Sequence, residues 1–179
     1  MADHNVADED IFSSEVSRFR WHVFLSFIGT DTRYPFVDKL YTSLYNKGIR
    51  AFRDVDGIGR GDDIAPTLLD AIEESAAFIV VISQNYASSM WCLEELSKIC
   101  KCKRLILPVF YQVDPSDVRK QEGPFFRKHF REHEEKMIEK EKVKQWREAM
   151  KTAGGIVGYV FQDKYKDRYC VNMYVCMYV

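Results

Sequence analysis

AFIVVIS, residues 77–83, decides the architecture. The run is apolar nearly throughout and rich in β-branched side chains, so it reads as a strand. A strand with one wet face alternates apolar and polar residues; this one does not. It needs cover on both faces, which is the condition of a central strand in a parallel sheet. Working outward, WHVFLSF at 21–27 is a second short, β-prone apolar stretch, IRAF at 49–52 a third, and LILPVFYQV at 105–113 a fourth. A fifth edge strand is expected near Gly158–Gln162.

Helical spacing fills the intervals. After WHVFLSF, the segment GTDTRYP offers Asp31 and Thr32 as caps and Pro35 in the first helical turn. Phe36, Leu40, Tyr41 and Leu44 then recur on one face, and Gly48 stops the helix after Lys47. Asp62 or Asp63 is placed to cap a helix with Ile64, Leu68, Leu69 and Ile72 inward. RDVDGIGRG at 53–61 carries three glycines and four charges in nine residues and reads as a surface loop. DPSDVRKQEGP after the fourth strand also reads as a turn-rich loop. From Phe125 to about Thr152 two charged helical stretches follow, broken near 137–142, their charges forming a solvated face. Alternating strands and helices imply right-handed crossovers. The predicted fold is α/β and flavodoxin-like, three layers with a central parallel sheet of order 2-1-3-4-5. Ligands of such sheets bind outside the carboxyl ends of the strands, where the loops at 28–33, 53–61 and 84–92 converge.

Composition narrows the function. The chain has 179 residues, enough for one sizeable core, with 26 lysines plus arginines against 27 aspartates plus glutamates. A net charge of -1 gives no global attraction to nucleic acid or to an anionic membrane. No apolar run approaches the ~20 residues that span a bilayer. The five cysteines, Cys92, Cys100, Cys102, Cys170 and Cys176, are odd in number and lack zinc or redox spacing, which fits reduced thiols. The organisation expected is a flexible leader over 1–19, one domain over 20–165 and an apolar tail over 166–179. There is no Walker loop and no G-x-S-x-G elbow. His129 and His133 lie four apart, but no third ligand makes them a metal site. A phosphorelay receiver needs an aspartate ending the third strand, where Ser83 and Gln84 stand.

SSMWCLEELSK, 88–98, lies on the rim. At about 100° per residue, Leu93, Leu96, Cys100, Cys92 and Ile99 share the core arc. Glu94 points away toward water, and Glu95 sits on the flank one turn from Trp91. Near them fall Arg33, Arg60 and Asp54. An aromatic wall stacks a flat heterocycle, arginines hold phosphates, and a carboxylate stabilises an oxocarbenium-like centre. These groups suit a dinucleotide cut at an N-glycosidic bond; solvated surface residues remain the alternative.

The segments WHVFLSFIGTDTR, GIRAFRDVDGIGRGDDIAPTLLDAIEES, FIVVISQNYASSMWCLEEL and PVFYQVDPSDVRKQEG occur in this order. Over about 20–165 the chain resembles the Toll/interleukin-1 receptor (TIR) domain of plant immune receptors, in a TIR-only or truncated form. The resemblance implies cleavage of NAD+ to nicotinamide and ADP-ribose or cyclic ADP-ribose, with NAD+ as substrate and no cofactor or metal. It implies activity on self-association in immune and cell-death signalling, TIR-containing immune receptors as partners, and a cytoplasmic or also nuclear placement. It assigns Glu95 as catalytic, and Trp91, Ser89, Phe27, Arg33, Asp54 and Arg60 as substrate contacts, the last two in the BB loop. Two positions depart from the family pattern. Ile28 stands where an arginine precedes the glycine, and Asp38 and Lys39 replace a Ser-His pair used in self-association. A non-catalytic adaptor that only binds other TIR domains is the competing reading.

Overall fold

The computed structural model describes residues 18–53, 66–136 and 138–162. Five parallel strands form one sheet in the order β2-β1-β3-β4-β5: β1 is Trp21–Phe27, β2 Ala51–Arg53, β3 Ser75–Ile82, β4 Leu105–Tyr111 and β5 Tyr159–Phe161. The order and the edge strand are those expected from sequence. Central β3 is paired on both sides, Val80 opposite Ser26 of β1 and opposite Pro108 of β4. Pro108 donates no ladder bond, yet β4 tolerates it beside the short edge strand.

The continuous apolar run of β3 is explained by its two faces. Phe78, Val80 and Ile82 pack, with Phe24 and Phe110, into one core cluster; Ile79 and Val81 pack, with Val23, Leu25 and Val109, into another. All five β3 residues are buried completely, worth roughly 1.5–3 kcal/mol each. The first cluster is closed by α3 (Pro66–Glu73), α4 (Met90–Cys102), α6 (Gly123–Glu135) and α7 (Lys140–Gly155). The second is closed, among the described residues, by Phe36, Val37, Leu40 and Leu44 of the helical segment after β1.

That segment differs from expectation. It starts at Gly29 as α1 (Gly29–Thr32), passes through a π-helical turn at Arg33–Val37, and continues as α2 (Asp38–Asn46). Neither Asp31 nor Thr32 caps it. The turn spans Pro35, which has no N–H for an α-helical bond, and widening the ladder accommodates that loss. Gly48 does end α2, with φ of +76°. The segment DPSDVRKQEGP is corrected as well: it contains helix α5 (Pro115–Lys120) and the start of α6. Asp114 caps α5 by accepting from the Ser116 N–H at 2.7 Å, Pro115 occupies the first helical position, and Gln121 closes it in the left-handed region. Turn formers there serve as helix punctuation. The charged stretch behind it breaks near 136–139 as expected, giving α6 and α7. Asp54 to Ala65 and the two terminal segments, on which a loop, caps, a leader and a tail were expected, lie outside the described residues.

Candidate active site

Two of the three expected rim loops are described, and they are clasped together. Asp31, in α1, accepts hydrogen bonds from Ser83 Oγ at 2.6 Å, from the Asn85 backbone N–H at 3.0 Å and from Asn85 Nδ2 at 3.0 Å. Burial alone would raise the Asp31 pKa; the bonds from Asn85 and Ser83 outweigh it and hold the carboxyl below its ordinary value. The clasp joins the carboxyl end of β1 to that of β3. A second link is the Cys92 thiol, 3.6 Å from the Phe27 carbonyl oxygen.

Helix α4 rises from this clasp. Ser89 is its N-cap, its hydroxyl oxygen accepting from the Cys92 N–H at 3.3 Å. Trp91 follows in the first turn, half-buried. Phe27 ends β1 with its ring 5.8 Å from the Arg33 guanidinium. A Cβ on Gly29 would lie 3.2 Å from Arg33 Nε and Nη2, so glycine there lets the arginine fold back over the loop. Ile28 packs its side chain against the main core cluster. Asp54 and Arg60 lie outside the described residues. Asp38 pairs with Arg53, whose guanidinium covers the Tyr41 ring at 4.1 Å, so that acid braces α2 against β2.

The two glutamates part ways, though not as their helical angles suggested. Glu95 is not on an open flank: it is only 8% exposed, and its Oε2 accepts from Ser26 Oγ of β1 at 2.6 Å. Glu94 does not face open water: Lys142 Nζ of α7 lies 2.6 Å from its Oε1. The angular argument took the helix by itself. It missed that β1 on one side and α7 on the other close over the helix. A half-exposed pair such as Glu94–Lys142 contributes under ~1 kcal/mol.

Sequence reasoning also missed the supporting roles of five groups. Ser26 and Ser83 are hydroxyls inside or just after apolar strands, and a buried polar group there needs a partner; that was the available signal. Tyr86, in a 3-10 turn over Tyr86–Ser88, is completely buried, its hydroxyl oxygen 3.0 Å from the Cys92 carbonyl oxygen and 2.7 Å from Ser26 Oγ. His129 and His133 are dock points: their Nε2 atoms donate to the carbonyls of Gln84 at 3.2 Å and Ala87 at 2.8 Å, fastening α6 to the rim turn. Among the described residues no group of three or more His, Cys, Asp and Glu is placed to hold a metal ion.

Residues 20–173 match the model of the TIR domain. The chain belongs to the TIR domain family. The Disease resistance protein RPV1 of Vitis rotundifolia is 50% identical to it over 156 residues, 85% of this chain and 11% of that protein. The TMV resistance protein N of Nicotiana glutinosa is 44% identical over 168 residues, 91% of this chain and 15% of that protein. This TIR domain thus spans a small part of those relatives. Among solved structures, the TIR domains of the activated Roq1 resistosome, which directly recognises the pathogen effector XopQ, align with a TM-score of 0.80 at 41% identity, covering 89% of this chain and 99% of that one. The TIR domain of the Toll-related receptor TRR-2 of Hydra magnipapillata shares the fold, at a TM-score of 0.53 and 19% identity. No helix among the described residues is long and apolar enough to cross a membrane.

Proposed function

We propose that this TIR domain cleaves the nicotinamide N-glycosidic bond of NAD+, giving nicotinamide and ADP-ribose or its cyclic form, and that it does so when self-associated, in plant immune and cell-death signalling. The observation that carries the reading is Glu95: a buried carboxylate on the helix that presents Trp91, held by a 2.6 Å hydrogen bond from Ser26 of β1. In this mechanism Trp91 stacks the nicotinamide ring. Arg33, held over the Phe27 ring, meets the pyrophosphate, and Asp54 and Arg60 supply further substrate contacts. Glu95 accepts a ribose hydroxyl and offsets positive charge developing at the anomeric carbon as nicotinamide leaves, and water or an adenine nitrogen then takes that carbon. Preorganised stabilisation of this kind is often worth a hundredfold or more in rate. NAD+ is the substrate, and no further cofactor is called for.

One observation favours the adaptor reading. Ile28 stands where the family carries arginine, and its side chain turns into the core rather than toward a phosphate. Partners would then be other TIR domains alone, those of immune receptors included. The two readings separate on incubating concentrated, folded protein with NAD+ and assaying nicotinamide. Release that rises with protein supports the enzyme; none at any concentration sinks it and leaves the adaptor.

A further inference from the structure

The Glu95 carboxylate is the end of a buried line of oxygens. Ser26 Oγ lies 2.6 Å from Glu95 Oε2, Tyr86 OH lies 2.7 Å from Ser26 Oγ, and the Cys92 carbonyl oxygen lies 3.0 Å from Tyr86 OH. Ser26 and Tyr86 are both 0% exposed, so water does not rearrange this line. Counting protons gives it a direction. An ionised carboxylate and a carbonyl only accept, and each hydroxyl supplies one proton. Three contacts therefore share two protons. The Ser26 proton goes to the carboxylate, the stronger acceptor. The Tyr86 proton then goes to Ser26 or to Cys92. The contact to Ser26 is shorter, and two oxygens 2.7 Å apart with no proton between them repel. The Cys92 carbonyl sits within α4, where the helix backbone already supplies a donor.

We propose that Tyr86 and Ser26 form a two-hydroxyl donor chain, running Tyr86 to Ser26 to Glu95, that aims the carboxylate at the rim and stabilises its ionised form. Both are positioning residues; that the group they position is catalytic rests on the function proposed above. Each donor in such a chain polarises the next, so the outer hydroxyl acts on Glu95 through the inner one. The surroundings fit. Burial first, then the Cys92 and Glu95 charges, hold Tyr86 well above the ordinary tyrosine range, so it stays a neutral donor. Among the described residues Cys92, one turn back on α4, also faces Glu95, and burial first, then the Glu95 charge, push its thiol up; Asp31 reaches Cys92 from α1. From α3 and α7 the charged side chains that meet α4 are engaged elsewhere, Glu73 with Lys98 and Lys142 with Glu94.

The test is a titration of the Glu95 carboxyl by NMR on the full chain with carbon-13-labelled glutamate, the resonance assigned with Glu95→Gln. Ser26→Ala raises the Glu95 midpoint by about one pH unit or more, as loss of a bond to a charged acceptor requires. Tyr86→Phe, which removes one oxygen, raises it by less. The double variant titrates no higher than Ser26→Ala, because Tyr86 acts only through Ser26. Ser26→Thr keeps the hydroxyl and stays near the parent. Unmoved midpoints, a fall in Ser26→Ala, or additive shifts in the double variant would overturn the chain. If Ser26→Ala does not fold, the near-isosteric Tyr86→Phe decides alone: its midpoint rises or the proposal is wrong. No turnover is needed. Coupled midpoints in a protein that releases no nicotinamide would remove the enzyme and keep the chain; cleavage with uncoupled midpoints would do the reverse.

Discussion

Glu94 and Glu95 differ by one position and by everything that touches them. Glu95 is buried against Ser26, whereas Glu94 is held at the surface by Lys142. Alanine at either site preserves the helix and removes one negative charge, so a general field effect would strike both alike. The expected result is loss of NAD+ cleavage by a hundredfold or more in Glu95→Ala. Glu94→Ala keeps most of the rate and loses under ~1 kcal/mol of stability. Equal losses, measured as nicotinamide release with melting temperatures recorded alongside, would overturn the assignment. The cysteines give a second test at this scale. Burial pushes the Cys92 thiol far above its ordinary range and Cys100 up to about 11, so few thiolates exist near neutral pH. Thiol reagents at about pH 8 should modify both at least tenfold more slowly in the native protein than in denaturant, at any thiol pKa of ~8.5 in the open chain. Rapid native labelling of Cys92 would show that the rim clasp opens.

Helix α6 depends on two imidazoles, and that makes its docking sensitive to acid. His133 donates from Nε2 to the Ala87 carbonyl, and its Nδ1 is buried without a partner among the described residues. Burial, opposed by the Ala87 bond and helped by Lys136 and His129, lowers its pKa below the ordinary 6.5. The sign follows: as pH falls through 6.5 the unfolded chain takes the proton first, so this contribution is whole above that value and fades below it. Melting temperature should drop between about pH 7 and about pH 5, and His133→Gln, less stable at neutral pH, should show a flatter profile. A parallel profile would remove His133 as the cause. At the packing of α7 on α5, a Cβ on Gly154 would lie 2.5 Å from the Arg119 backbone nitrogen. Gly154→Ala therefore costs about 1–3 kcal/mol by denaturant unfolding, despite alanine's higher helix propensity. A neutral or stabilising effect would mean the two helices part easily.

At the scale of the whole molecule, the proposed chemistry is tied to assembly. The sequence between β2 and α3 carries Gly57, Gly59 and Gly61 beside Asp54 and Arg60, the last two proposed as substrate contacts. A chain that works when self-associated should gain specific activity as protein concentration rises. A flat value across a dilution series in which light scattering reports only monomer would separate activity from association. What the sequence by itself determined is the frame: the unbroken apolar run of β3, the strand–helix alternation and the arc of α4 follow from periodicity, which is local, and the order 2-1-3-4-5 from the fold class that this alternation fits. Tertiary structure alone decided what became of the polar groups. Asp31 reads as a helix cap from its neighbours, yet it clasps Ser83 and Asn85, 52 and 54 residues away. Pro115 reads as a turn and begins a helix. Glu95 reads as a flank residue, yet lies buried against Ser26, 69 residues before it. Periodicity tells which way a side chain points from its own helix or strand. A buried charge or hydroxyl is settled by the partner it finds, and those partners come from strands and turns that only the closed fold brings within 3 Å.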